Sequence, residues 1–167
     1  RYQNTRSAGF RGWDKDGEGI FIATRFGDVS QIHYVAQPGG ARTQLTFFDE
    51  PIGGLSRQPD SSKMVFTMDA GGSEFSQIFM LDPTGLEDAV MLTDGESRNG
   101  AVVWAHDGDL IAYQSTRRNG ASNDIWMMDV TNSETAEVVL ESPDGTWWGA
   151  VDFSPDNSRL LVLNYVG

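Results

Sequence analysis

The chain has 167 residues, 39% of them hydrophobic, with 12 basic against 24 acidic side chains and a formal net charge of -12. That balance argues against a nucleic-acid partner, which needs a clustered basic surface, and reads as a charged, solvated exterior. There is no cysteine, so disulfide and thiolate chemistry are excluded, and no apolar run approaches the ~18 residues of a membrane span.

Residues 1–8, RYQNTRSA, are polar and carry no clear period, and they read as the connection from an earlier repeat. From Gly9 onward four short runs bounded by turn residues recur, which is the strand signature. The first unit predicts strands at 9–13, 19–25, 31–36 and 41–47, with turns at Asp16-Gly17 and at 38–40. The second predicts 53–58, 63–69, 77–82 and 89–93; the third 100–104, 109–115, 124–129 and 137–141. A fourth stops after 149–154 and 159–165. No window of a dozen residues keeps a helical period free of turn signals. The chain begins at Arg1 and stops at Gly167 inside a repeat, so it reads as an excerpt of a longer protein.

The units align on Asp16, Asp60, Asp107 and Asp156. Glycines precede each anchor at Gly9, Gly53, Gly100 and Gly149, and Trp13, Arg57, Trp104 and Phe153 share the next position in register. Gln31-Ile32, Gln77-Ile78 and Asp124-Ile125 open the third strands; Leu45-Thr46, Leu92-Thr93 and Leu140 close the fourth. Second strands such as GIFIATR, KMVFTMD and LIAYQST are apolar at consecutive positions, so both sheet faces must be covered. Four-stranded antiparallel sheets buried on both faces, one in every 44 to 49 residues, predict an all-β chain of about three and a half β-propeller blades, near 9–47, 53–93, 100–141 and 149–165. Register makes Trp13 and Trp104 core residues, and one of Trp147 and Trp148 should start the fourth blade as core. The head glycines should let converging inner strands approach.

In such blades the second-to-third loops and the blade-to-blade connections emerge at one mouth. That mouth collects 26–30, 70–76 and 117–123 with 48–52, 94–99 and 143–148, and longer loops are where function concentrates. The candidate contact residues there are Arg25, Glu74, Arg117, Arg118 and Asn119. Their alternative role is as solvated loop charges, or as partners of Glu50, Glu96 and Asp144.

Other constellations are weaker. Asp14-Lys15-Asp16-Gly17-Glu18 brings its glycine too early for a calcium loop, and the equivalent slot reads SRQPDSS, so it reads as a turn. Gly71-Gly72-Ser73-Glu74-Phe75 fails the nucleophile-elbow pattern. Of the two histidines, His33 lies mid-strand and His106 in an anchor turn. No catalytic, cofactor-binding or metal-ligating residue is assigned, and no cofactor is expected.

Taken together, YQNTRSAGFRGW, ATRFG, PGGARTQLTFFDEP, DAGGSEFSQIF, LTDGESRNG and STRRNGASNDIWMMD resemble the amino-terminal propeller of prolyl oligopeptidase family serine peptidases, the acylaminoacyl-peptidase and dipeptidyl-peptidase relatives. The shorter W-x-x-D-G, I-A-Y and DIW-x-MD pattern is also similar to TolB propellers. The peptidase resemblance implies a non-catalytic segment that gates an α/β-hydrolase domain of the same parent chain, lying outside this window, and helps to select short peptides. The other resemblance implies a protein-interaction platform. A third expectation is that the chain pairs with copies of itself. Compartment stays open, with the cytoplasm favoured over periplasm or secretion, and neither nucleic acid nor membrane is an expected partner.

Overall fold

The computed structural model describes residues 7–85, 88–143 and 146–165. Most of the polar leading stretch at 1–8, and Asp144 with its neighbour in the loop at 143–148, therefore lie outside the described residues. Every element among the described residues is a strand, and every pairing is antiparallel.

The first sheet is β1 (Ala8–Trp13), β2 (Ile20–Arg25), β3 (Ser30–Val35) and β4 (Arg42–Gln44), hydrogen-bonded in that order. The second is β5 (Ile52–Arg57), β6 (Met64–Asp69), β7 (Ser76–Leu81) and β8 (Val90–Met91). The third is β9 (Asn99–Trp104), β10 (Leu110–Ser115), β11 (Asp124–Asp129) and β12 (Asn132–Leu140). β13 (Trp147–Phe153) and β14 (Leu160–Tyr165) form a fourth, two-stranded sheet.

The consecutive apolar runs are explained by double-sided burial. Met64, Phe66 and Met68 pack with Phe79 and Leu81 against Phe21 and Ile32 of the first sheet. Val65 and Ile78, pointing the other way, pack against Trp104, Ile111, Tyr113 and Met128 of the third. Ala112 and Ile125 then meet Ala150 and Phe153 of the fourth. A strand pleat sends neighbouring side chains to opposite faces, so a sheet with neighbours on both sides needs apolar residues at every position. β14 shows the converse. Leu160 and Val162 pack on the third sheet, while Leu161, Leu163 and Tyr165 stay exposed because no described sheet lies beyond them.

The same geometry corrects the assignment of Trp13. It holds the register of Trp104, pairing with Ile20 as Trp104 pairs with Ile111. Yet Trp13 is 56% exposed and Trp104 only 7%. Trp104 faces the preceding sheet; Trp13 faces a side where no described sheet stands. Trp147 is exposed and Trp148 half-buried, packed against the third-sheet cluster. The head glycines are corrected as well. A Cβ on Gly53 would meet Thr67 Oγ1 of its own sheet at 2.6 Å, but one on Gly100 would meet nothing within 4 Å. Close approach of neighbouring inner strands is therefore not what these glycines provide.

β4 and β8 are shorter than the predicted 41–47 and 89–93. In both units a threonine hydroxyl takes over from a backbone carbonyl: Leu45 N donates to Ile32 O at 2.8 Å, but Ile32 N donates to Thr46 Oγ1 at 2.9 Å. Leu92, Ile78 and Thr93 repeat the arrangement at 2.8 and 3.0 Å. β12 begins earlier than the predicted 137–141, because Asp129 pairs with Asn132 and its Oδ1 accepts from both the Thr131 N–H and hydroxyl at 2.7 Å, closing a tight hairpin. Register also shifts beside every innermost strand among the described residues, at Phe10/Gly12, at Ile52/Leu55, opposite Ala112/Gln114 and at Ala150/Asp152, so each carries a bulge.

The residues opening the third strands tie successive units together. The buried Gln31 amide donates to Phe48 O at 2.9 Å and Glu50 O at 3.3 Å. Gln77, fully buried, donates to Ser97 O at 2.6 Å and accepts from Thr93 Oγ1, Gly95 N and Asn99 Nδ2. Asp124 accepts from Ser142 N at 2.7 Å. Each therefore pins the connection that leads out of its own sheet. Gln77→Ala strands several of these buried partners, so the denaturant midpoint should fall by an amount equivalent to about 2–3 kcal/mol. An unchanged midpoint would show that the network contributes nothing net.

Candidate functional site

The long-loop mouth is best defined at the junction of the second and third sheets. Asp94, in the connection between β8 and β9, is held by its own loop. Its Oδ1 accepts from Glu96 N at 3.0 Å and Ser97 N at 2.8 Å, and its Oδ2 from Ser97 Oγ at 2.6 Å. Burial opposes its charge, but these hydrogen bonds and the Arg117 guanidinium outweigh it and hold its pKa below the usual carboxylate value. Arg117, at the start of the β10–β11 loop, places Nε 3.6 Å from Asp94 Oδ2 and its guanidinium carbon 5.3 Å from the Trp126 ring centroid.

Tyr113 pairs with Trp126 across β10 and β11 and is buried beneath this group. Burial pushes its phenol up to about 12, with Arg117 opposing and Asp94 adding to the rise. The Trp126 indole N–H is buried with no hydrogen-bond partner among the described residues. Close by, the Arg98 guanidinium carbon stands 5.6 Å from the Phe75 ring centroid. A cavity of about 360 Å³ opens between the two sheets, lined among others by Gly54, Thr67, Ser76, Asn99, Gly100 and Ala101.

The five candidate residues fall in equivalent loops of three successive sheets but play different parts. Arg25 ends β2 and is exposed. Glu74, in the β6–β7 loop, has a φ of 61°, and its N–H donates to Asp69 Oδ2 at 2.8 Å. Asp69 Oδ1 takes the N–H and hydroxyl of Ser73, so the backbone is held while the Glu74 side chain stays exposed. Arg118 turns inward: Nε and Nη2 donate to Asp124 Oδ2 and Oδ1 at 2.6 and 2.9 Å, with Glu141 Oε2 3.4 Å from Nη1. Asn119 accepts at Oδ1 from Ala121 N and Ser122 N and donates to Ser122 Oγ, closing its own loop.

Arg118 and Asn119 thus shape the loop, whereas Arg25, Glu74 and Arg117 present charge at its surface. No hydrogen bond or ion pair joins those three to one another among the described residues. The acidic partners of the arginines are Asp94, Asp124 and Glu141 rather than the expected Glu50 and Glu96; Asp144 is outside the described residues. Asp94, Tyr113 and Trp126 carry no motif of their own, and only the register of Tyr113 within the repeat hinted at their meeting.

At the opposite mouth, Asp14 is a turn residue. Its Oδ1 accepts from Glu18 N at 3.0 Å, and its Oδ2 from Gly19 N at 2.9 Å and the Tyr34 hydroxyl at 2.7 Å. Among the described residues no three potential metal-ligating side chains cluster. Gly71 to Phe75 lies between β6 and β7, as a plain loop.

No protein-family model matches the chain, and no curated protein sequence does. Solved structures do. A protein assigned as TolB from Agrobacterium tumefaciens superposes with a TM-score of 0.70 at 17% identity, over 98% of this chain and 61% of that one. A prolyl endopeptidase superposes with a TM-score of 0.70 at 14% identity, over 96% of this chain and 26% of its own. The chain is a segment of a β-propeller. An oligogalacturonate lyase from Vibrio parahaemolyticus superposes at 0.66 and 16% identity, over 90% of this chain and 44% of that one. The propeller segment thus spans less than two thirds of each of these proteins. At these identities the likeness concerns the fold, which unrelated activities share.

Proposed function

We propose that this propeller segment belongs to a serine peptidase of the prolyl oligopeptidase type. It would contain no catalytic residue itself, and would gate access of short peptides to an α/β-hydrolase domain of the same parent chain. The observation that carries this reading is the superposition on 26% of a prolyl endopeptidase with 96% of this chain matched, taken with the peptidase-like strings along the sequence. Arg25, Glu74 and Arg117 are the side chains proposed to meet the peptide. They offer both signs of charge, suited to a free carboxylate or amine terminus. Arg118 and Asn119 serve this reading by holding the β10–β11 loop in place.

A second reading is a TolB-like platform for protein partners, favoured by the larger share matched there, 98% of this chain and 61% of the other. The parent coding sequence separates the two. The peptidase reading expects a Gly-x-Ser-x-Gly elbow followed by Asp and His within about 250 residues; a parent chain without them sinks it. In the purified segment, Arg117→Glu should weaken binding of a labelled short peptide with a free carboxylate by about tenfold, read by anisotropy. Equal affinity for the parent and variant segments would remove Arg117 from the proposed contact.

A further inference from the structure

The cavity of about 360 Å³ between the second and third sheets lies where two bulges stand side by side. On β5, Gly53 and Gly54 together face Thr67 of β6; on β9, Ala101 and Val102 together face Tyr113 of β10. Most of these bulge residues are glycine or alanine, so little side chain fills the space between the strands. Its size falls at the small end of the ~300–1,000 Å³ typical of ligand pockets. β5 and β9 are innermost strands of successive sheets, so in a propeller the cavity sits on the wall of the channel. Neither wall belongs to the first or the last sheet of the chain.

Asn99 is 5% exposed and lines this cavity from the start of β9. Its amide nitrogen is spent on Ser97 O at 2.8 Å, Gln77 Oε1 at 3.0 Å and Ser76 O at 3.3 Å. Its carbonyl oxygen accepts nothing among the described residues, which leaves the cavity a buried acceptor in need of a donor. The Ser76 hydroxyl, also in the lining, has no partner among the described residues. The Thr67 hydroxyl accepts from Gly54 N at 2.9 Å and keeps its own proton to donate. Val65 and Val102 supply apolar lining from the two sheets. No ionisable side chain lines the cavity among the described residues, so a charged group would enter without a partner and lose its hydration.

We infer that this cavity binds one uncharged residue of an extended peptide. A peptide group carries one donor and one acceptor. Its N–H donates to Asn99 Oδ1, its carbonyl accepts from the Ser76 or Thr67 hydroxyl, and an aliphatic side chain lies over Val65 and Val102. A sugar could meet the polar atoms but would set hydroxyls against the two valines. The inference rests on peptides being what enters the propeller. It adds a site for the interior of such a peptide, apart from Arg25, Glu74 and Arg117, which meet its charged ends.

Backbone amide shifts of the isotope-labelled 167-residue chain, titrated with the uncharged N-acetyl-alanyl-leucinamide, test this. Saturable shifts should appear at Gly54, Ser76 and Asn99. Gly54→Leu should fill the cavity and weaken binding by more than about tenfold. It should leave the fold unchanged, since a Cβ there would meet only Thr67 Oγ1, at 3.6 Å. Arg117→Glu should leave the affinity for the blocked dipeptide unchanged, although it weakens binding of a peptide with a free carboxylate, so the two contacts stand or fall separately. The absence of saturable shifts at those amides overturns the inference. So does Gly54→Leu binding as tightly as the parent, or loss of dipeptide binding in Arg117→Glu. Maltose shifting the same amides where the dipeptide does not would mark a sugar site and overturn it too. If Gly54→Leu fails to fold, Ser76→Val replaces it with the same expected outcome.

Discussion

Trp104→Ala is expected to lower the unfolding free energy by about 3–5 kcal/mol, the range for deleting a buried tryptophan. The indole is 7% exposed and packs in one cluster with Val65, Ile78, Ile111 and Met128, so it joins the second and third blades. Truncation loses the transfer energy of the ring and leaves a cavity that two sheets, each held by its own ladder, cannot easily close. It also frees Ser56 O from a long hydrogen bond of 3.4 Å, a minor part of the cost. Trp13→Ala is the control. The same residue type at the same register position, 56% exposed, should cost under about 1 kcal/mol. Denaturant melts of the two variants, run at a concentration where the chain is monomeric, check the contrast. A loss below ~1 kcal/mol for Trp104 would mean that the interblade cluster contributes little to stability.

Arg118→Ala should lower the denaturant midpoint clearly, because it leaves the Asp124 carboxylate buried without its cationic partner. Asp124 is fully buried, and Arg118 supplies a two-pronged donor to both of its oxygens; with that gone, only Ser142 N remains among the contacts described. The Arg118 side chain is 31% exposed, so solvent screens part of the interaction and limits the loss. Arg118→Lys keeps the charge without the fork and should recover only part of the loss. The pH dependence gives an independent check. Burial acts to raise the Asp124 pKa, but Arg118 and the Ser142 N–H outweigh it and hold the value below that of an ordinary carboxylate. The unfolded carboxylate titrates near ~3.9. Between the lowered folded value and that one the unfolded chain binds more protons, so stability rises with pH there. Asp124's contribution is complete above the unfolded value and disappears as pH falls through the folded one. Without Arg118 this part of the acid-side slope should flatten or reverse. An unchanged slope in urea melts across that range would show that the pair does not carry it.

These two predictions concern residues whose roles were unequally legible in the sequence. Trp104 could be placed in the core because its register in the repeat and the apolar runs around it agree. Trp13 shares every local feature with Trp104 and has the opposite environment, since burial depends on which sheet stands opposite and not on the strand that carries the residue. Arg118 had looked like a neighbour of Arg117 in one exposed loop. Only the fold shows that Arg118 turns into its own blade, towards a carboxylate six residues on, while Arg117 reaches across to the connection from the blade before.

The sequence by itself determined the all-β class, the repeat length and the burial of the second strands on both faces. These follow from period and turn chemistry, which are local. Tertiary structure alone decided which equivalent residues are buried, how Gln31, Gln77 and Asp124 pin the blade connections, and that Asp94, Arg117, Tyr113 and Trp126 meet at one mouth. Such contacts join residues far apart in the chain. Their partners are selected by how one sheet packs on the next, a three-dimensional arrangement that no local pattern encodes.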